Sequence, residues 1–258
     1  MAPTAVRVVL ADTGADPFAD RVLGEVAAHL ERSPLFEVAD RDGRPARVRV
    51  SRPVEAQVEG LRIDVRVEDP AAPSGAWEAA VEVFPAEGRA LEPADLSLAA
   101  GRAVAVLEAR RLLASGQREH IGRILTADDP KLVALALEWI RDHAPGAYVD
   151  AMPPLLASGD PGVVRLAAEV VGRAGDPAYV SVLLDAAGRA AEGPRRAIYD
   201  ALGRIGGDRA ERFLAFAARN EADDELARAA RHALRRARGG PGPGLSADAR
   251  PLRRRGQR

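Results

Sequence analysis

The stretch DPGVVRLAAEVVGRAG, residues 160–175, reads as a complete helix with its start and stop marked. Asp160 offers a carboxylate to cap the first turn, and Pro161 lacks only an N–H that would be unpaired there anyway. Val163, Val164, Leu166, Ala167, Val170 and Val171 recur at helical spacing. Gly172 to Gly175 are expected to end the run, glycine permitting a left-handed exit. The same ending returns 31 residues later, Gly172-Arg173-Ala174-Gly175 matching Gly203-Arg204-Ile205-Gly206. Ala147-Tyr148-Val149 returns at the same spacing as Ala178-Tyr179-Val180. Two landmarks in one register define an internal repeat.

The repeating unit is a pair of helices. A first helix is expected over about 147–158, and the corner Asp160-Pro161 opens the second. Similar acidic corners stand at Asp128-Asp129-Pro130, Asp176-Pro177, Glu192-Gly193-Pro194 and Asp223-Asp224-Glu225. They divide the region into four pairs, about 116–145, 146–175, 176–207 and 208–238. Frequent alanines, among them Ala167, Ala168, Ala201 and Ala230, let neighbouring helices approach closely. One pair cannot bury both of its faces, so stacking supplies the core.

These features resemble the short HEAT-like repeats first named from phycobilisome lyases, over residues 116–238. The resemblance implies a solenoid that binds or scaffolds proteins. It does not imply bilin lyase chemistry, because no chromophore-site motif is present.

The first 115 residues follow another grammar. Val6 to Leu10 read as a buried strand, residues 17–32 as an amphipathic helix, and Phe36-Glu37-Val38 as a second strand after the turn at Ser33-Pro34. Strand, helix, strand with short links predicts a parallel pair. Residues 46–50, 61–67 and 77–84 alternate apolar with polar, as strands with one solvated face do. Asp69-Pro70 to Ser74-Gly75 make a hairpin-like connection, and a helix over 94–114 closes the domain with Leu98, Val104, Leu107, Leu112 and Leu113. The opening run, through Ser33-Pro34-Leu35-Phe36-Glu37-Val38-Ala39-Asp40-Arg41, also resembles the α/β domains at the amino terminus of TolB and of curli-secretion proteins. The expected fold is therefore α+β in two domains, an α/β domain over 1–115 and an all-α HEAT-like solenoid over 116–238. A disordered basic tail is expected over 239–258.

Charge is unevenly distributed. Net charge is −1, yet residues 228–258 carry ten Arg against the single acid Asp248. The tail arginines Arg250, Arg253, Arg254, Arg255 and Arg258 suit only non-specific, salt-sensitive contact with anionic polymers or lipid. The chain has one lysine, Lys131, and no cysteine. Disulfides, thiolate metal sites and a cysteine nucleophile are thereby excluded. The arginine and alanine bias fits a GC-rich bacterial genome. No apolar run approaches the roughly 18–20 residues that span a bilayer, and Met1 to Arg7 lack the pattern of an export signal. A cytoplasmic protein is expected.

One catalytic lure is Asp12-Thr13-Gly14-Ala15, which resembles the motif of retropepsin-like aspartic proteases. That resemblance implies a catalytic Asp12 paired across a dimer, with Ile121-Gly122-Arg123 as the later apolar-Gly-Arg element. The helical pattern of residues 17–32 departs from the strands of such proteases. Residues 12–16 read instead as a polar turn, with Pro17 at the first helical position. His29, His120, His143 and His232 share no metal-ligand spacing, and no phosphate loop or nucleophile elbow is present. No cofactor, metal or catalytic residue is therefore expected.

What remains is the arginine set of the second helices: Arg165, Arg173, Arg195, Arg196, Arg204, Arg228, Arg231 and Arg235. These could line one face of the solenoid and grip an acidic protein partner, or stand as solvated residues paired with acids such as Glu169, Asp200 and Glu225. A non-enzymatic adaptor is the expected function. The alternatives are a nucleic-acid-binding repeat protein, somewhat like the HEAT-like DNA glycosylases of the AlkD type, and a retropepsin-like aspartic protease acting through Asp12.

Overall fold

The computed structural model describes residues 3–11, 16–39, 42–52, 60–85 and 89–239. Asp12 and the arginines of the tail lie outside the described residues, as does the tail itself beyond Gly239. The chain divides into two compact units, Met1–Ala136 and Leu137–Arg258, each described by itself.

The first unit is built on a five-stranded sheet ordered β2-β1-β3-β4-β5. Strand β1 (Thr4–Leu10) precedes helix α1 (Ala19–Glu31) and pairs in parallel with β2 (Phe36–Val38), the arrangement expected of strand-helix-strand. β3 (Arg44–Ser51) also runs parallel to β1, while β4 (Leu61–Glu68) and β5 (Ala76–Val83) continue antiparallel. Alternation decides the two faces. Val48, Val50, Ile63, Val65, Val67 and Val81 are buried in one core with Val22, Val26 and Leu30 of α1. Helix α2 (Pro93–Ala114) adds Leu96, Ala100, Ala103 and Leu107 to it.

Two expectations are corrected. Leu98 is 62% exposed, because the buried stripe of α2 runs through Leu96, Ala99, Ala103 and Leu107, and residue 98 turns away from it. Pro17 lies in a turn ahead of α1 rather than within it; Asp16 Oδ1 accepts the Phe18 N–H there at 2.9 Å.

A buried carboxylate ties this sheet together. Asp69, only 6% exposed, accepts from Ala71 N at 2.9 Å, Thr4 Oγ1 at 3.0 Å and Trp77 Nε1 at 3.1 Å. Burial alone pushes its pKa up, but these three donors, joined by the charge of Arg111, outweigh burial and hold it below the ordinary value. Arg111 is itself buried, donating to the Leu35 carbonyl with its guanidinium carbon 5.4 Å from the Phe36 ring centre.

Helix α3 (Arg118–Leu125) follows, and the division between units falls inside α4 (Pro130–His143). The second unit continues as helical pairs: α5 (Met152–Leu156) with α6 (Pro161–Ala174), α7 (Val180–Ala187) with α8 (Glu192–Ile205), and α9 (Asp208–Asn220) with α10 (Asp224–Ala237). In chain order α3 and α4 precede these three pairs. Capping is largely as read. Asp129, Asp160, Asp176 and Asp223 each accept a backbone N–H, from Lys131, Val163, Ala178 and Leu226, at 2.7–2.9 Å. Glu192 differs, standing inside the first turn of α8 with Ala191 at the cap position and no side-chain cap. The helix expected over 147–158 is replaced by two 3-10 turns, Pro145–Ala147 and Val149–Ala151, and the five-residue α5. Pro153 and Pro154 have no N–H to return to Val149 and Asp150, so they stand in the first turn of α5 and no α-helix runs into them from residue 147.

Gly172 also has a different role from the expected stop. Helix α6 continues through it to Ala174, and Gly175, at φ 71°, makes the left-handed exit. A Cβ on Gly172 would lie 2.8 Å from the Cα of Ala201, and one on Gly203 would lie 2.7 Å from the carbonyl oxygen of Ala233. Only hydrogen at these positions lets α6 meet α8, and α8 meet α10, at backbone contact.

Two predictions follow from these packing features. Asp69→Asn should lower the unfolding free energy in urea by about 2 kcal/mol near neutral pH. The folded carboxyl titrates below its unfolded value of about 4, so its contribution is complete above that value and is lost as pH falls through the folded pKa. The gap between wild type and Asp69→Asn should therefore narrow on acidification. Gly203→Ala should destabilise by about 1–2 kcal/mol, overpacking outweighing the gain in helix propensity. Gly193→Ala in the same helix has nothing within 4 Å and should not lower the melting temperature.

Candidate protein-binding face

Helices α6, α8 and α10 are the second members of three successive pairs. Glycine-alanine crossings bring them into backbone contact, and an i, i+4 ridge recurs on each. On α6 it carries Arg165, Glu169 and Arg173. On α8, 31 residues later, Arg196, Asp200 and Arg204 hold the same positions. On α10, one residue further out of step, they are Arg228, His232 and Arg236. In every case the first residue is exposed and the middle one half-buried.

The rungs differ in how much of their charge is already satisfied. Around α6 the ions form a connected set. Arg165 Nη1 reaches Glu169 at 2.6 Å, Arg141 binds both Glu169 at 3.0 Å and Asp142 at 2.9 Å, and Arg173 lies 3.3 Å from Asp142. Hydrogen bonding to Asp142 and Glu169 raises the pKa of Arg141, and Arg141 in turn holds Asp142 below its ordinary value. On α8 the position is reversed. Among the described residues, Arg196, Asp200 and Arg204 have no side-chain hydrogen bond or ion pair. Arg228 reaches Glu225 at 3.4 Å, with both side chains about two-thirds or more exposed, an arrangement that contributes little.

The remaining arginines of the sequence-derived set sit elsewhere. Arg195 is half-buried between α8 and α9; its Nη2 donates to the Ala190 carbonyl at 2.8 Å and its Nη1 lies 3.4 Å from Glu221. Its Nε is buried with no acceptor. Tyr199 donates its hydroxyl to the same Glu221, and burial followed by that bond raises the tyrosine pKa. Arg231 donates to the Ala218 carbonyl at 3.3 Å, while Arg235 is exposed one position before Arg236. Arg236 was absent from the set read from sequence. The signal that finds it is the extra residue in the last repeat, visible once Asp160 and Asp223 are aligned as caps.

Other features offer less. Helix α3 contains Ile121-Gly122-Arg123, with Ile121 fully buried, so that segment is helical where an aspartic protease would need a strand. His143 stacks on Trp139 at 4.8 Å, and His29 contacts the Ser97 carbonyl at 3.1 Å. Among the described residues no group of three or more His, Cys, Asp or Glu side chains is placed to hold a metal ion. Nor, among them, is any helix long and apolar enough to cross a membrane. The outer face of the sheet forms a recess of about 1190 Å³. Ion pairs occupy much of it: Arg47 with Glu68, Arg66 with Glu78 and Arg62 with Glu82 across strands, and Arg62 with Asp64 along β4.

Residues 154–235 match the family model for HEAT repeats. The matched segment begins in α5 and ends in α10, so it contains the first two positions of every rung. No curated protein matches the chain.

Neighbouring arginines of α8 should therefore respond differently to truncation. Arg195→Ala leaves Glu221 with a lost partner and should cost about 1–3 kcal/mol in denaturant unfolding. Arg196→Ala should change stability by less than about 0.5 kcal/mol.

Proposed function

We propose that the HEAT-repeat segment of this chain is a non-enzymatic scaffold that binds an acidic protein partner across its second helices. The observation that carries the reading is the row of ridge arginines without acidic partners on α8, Arg196 and Arg204. Desolvating an unpaired cation against a carboxylate of a partner gives net attraction without first breaking an internal pair. Arg165, Arg173, Arg228 and Arg236 extend the same surface, with Arg235 exposed beside it, whereas Arg195 and Arg231 contribute by positioning α9. General features support the assignment. Repeat solenoids present long surfaces suited to extended contacts. A bacterial origin, suggested by the arginine and alanine bias, and a cytoplasmic setting are part of the same proposal.

A second reading, nucleic-acid binding, draws on one further observation. Phe216 of α9 is 59% exposed and shares its helix face with Arg209, Arg212 and Arg219. An aromatic ring among arginines is a minimal stacking platform, and the basic tail would add phosphate contacts.

Affinity capture from lysate with the full chain distinguishes the two. A specific protein should be retained by wild type, survive nuclease, and be lost by the double variant Arg196→Glu/Arg204→Glu. Retention unchanged by that variant would remove α8 from the binding surface. Loss on nuclease treatment would transfer the function to nucleic acid.

A further inference from the structure

The proposed binding surface has a spacing as well as a charge, and the inference here rests on that surface being the site. Arg165, Arg196 and Arg228 each occupy the fifth residue of their helix, counted from Pro161, Glu192 and Asp224. They form one row running across α6, α8 and α10. Backbone contact at Gly172–Ala201 and Gly203–Ala233 sets the distance between rungs; helices packed this closely lie about 8–10 Å apart. All three arginines are exposed, and each retains unused donors. Arg165 engages Glu169 through Nη1 alone, Arg196 engages no side chain, and Arg228 uses Nε on the Asp224 carbonyl and Nη2 at 3.4 Å from Glu225.

We propose that this row recognises an extended acidic peptide in the polyproline II conformation, with a carboxylate at every third residue. That conformation rises about 3.1 Å per residue with three residues per turn, so every third side chain returns to one face after about 9.3 Å. The repeat distance of such a peptide falls within the spacing of about 8–10 Å between closely packed helices. A β-strand fails this test, because residues three apart point to opposite faces.

Two features of the surface select this row over its neighbours. The adjacent row holds Glu169 and Asp200, whose charges repel a carboxylate that strays toward it. The third row, Arg173, Arg204 and Arg236, lies in the last turns, where cations already complement the negative ends of their own helices. In the Arg165 row the helix ends nearest the peptide carry the positive end of the dipole.

The test is an NMR titration of the 15N-labelled full chain at low ionic strength with two synthetic 12-residue peptides of equal composition. One is (Glu-Pro-Pro)4, the other a block of four Glu followed by eight Pro. Exposed ion pairs are individually weak, so a dissociation constant on the order of 1 mM is expected for the periodic peptide. Backbone shifts should map to the second turns of α6, α8 and α10. Binding should be about fivefold weaker for the block peptide and about tenfold weaker in Arg196→Glu, with Arg212→Glu on α9 changing it less than about twofold. Equal affinity for the two peptides, still lost in Arg196→Glu, overturns the spacing while keeping the surface. Shifts from neither peptide overturn the proposal. If Arg196→Glu/Arg204→Glu nevertheless loses its captured protein, the scaffold reading stands without it. Binding of the oligonucleotide dT12 at the same resonances, with the peptides silent, overturns both in favour of nucleic acid.

Discussion

Everything distinctive about the second unit depends on two places where a helix has no side chain. At Gly172 and at Gly203 the neighbouring helix comes within 3 Å of where a Cβ would stand. A methyl group there pushes α8 away from α6, or α10 away from α8. The buried rows that close between them, Leu166, Val170, Ile198, Leu202 and Ala230, would then lose contact together. The first helices of each pair tolerate far more irregularity, as the broken turns before α5 illustrate. Packing discipline is concentrated in the second-helix layer, and the exposed ridge inherits its regularity from that layer. A face repeats outward because the core repeats inward.

The first unit obtains its order differently. Its strands hold a conventional apolar core, but a buried polar cluster joins the elements that are furthest apart in sequence. Asp69 links Thr4 at the start of β1 to Trp77 in β5, and Arg111 brings the end of α2 to the Leu35 carbonyl just before β2. Such a cluster stabilises through the bonds it gathers, and the Asp69 carboxylate accepts from three donors. It therefore favours one arrangement of β1 against the β4–β5 hairpin more sharply than apolar contacts would. The outer face is governed by nothing so strict, since its cross-strand ion pairs remain half in water.

Much of this was legible from residue order. Capping acids, prolines and glycines marked the helical pairs, and the period of two marked β3, β4 and β5, because these signals are local. Failures arose where the outcome depended on atoms distant in sequence. Gly172 and Gly175 look alike as helix stops, and only the approach of Ala201 distinguishes a crossing from an exit. Arg195 and Arg196 are identical neighbours, yet a rotation of about 100° per residue sends one to Glu221 and the other to solvent. Leu98 faces outward for the same reason, its place around α2 and not its apolar character deciding its exposure. The parallel pairing of β3 with β1 has no local signal at all. The prolines at 153 and 154 are a local signal against an α-helix from residue 147, even where the longer-range repeat points to one.

The matched crossings have a consequence for how such a chain can change in length. Because Gly172 meets Ala201 much as Gly203 meets Ala233, each joint presents the same socket on one side and the same plug on the other. Duplicating one unit of 31 residues inserts a segment whose two ends already fit, with no new core to be invented. The exposed ridge then grows by a whole rung, carrying its own arginines in phase with the rest. Surface area and charge rise in equal steps, so the molecule can be lengthened by tandem duplication as a chain is lengthened by links.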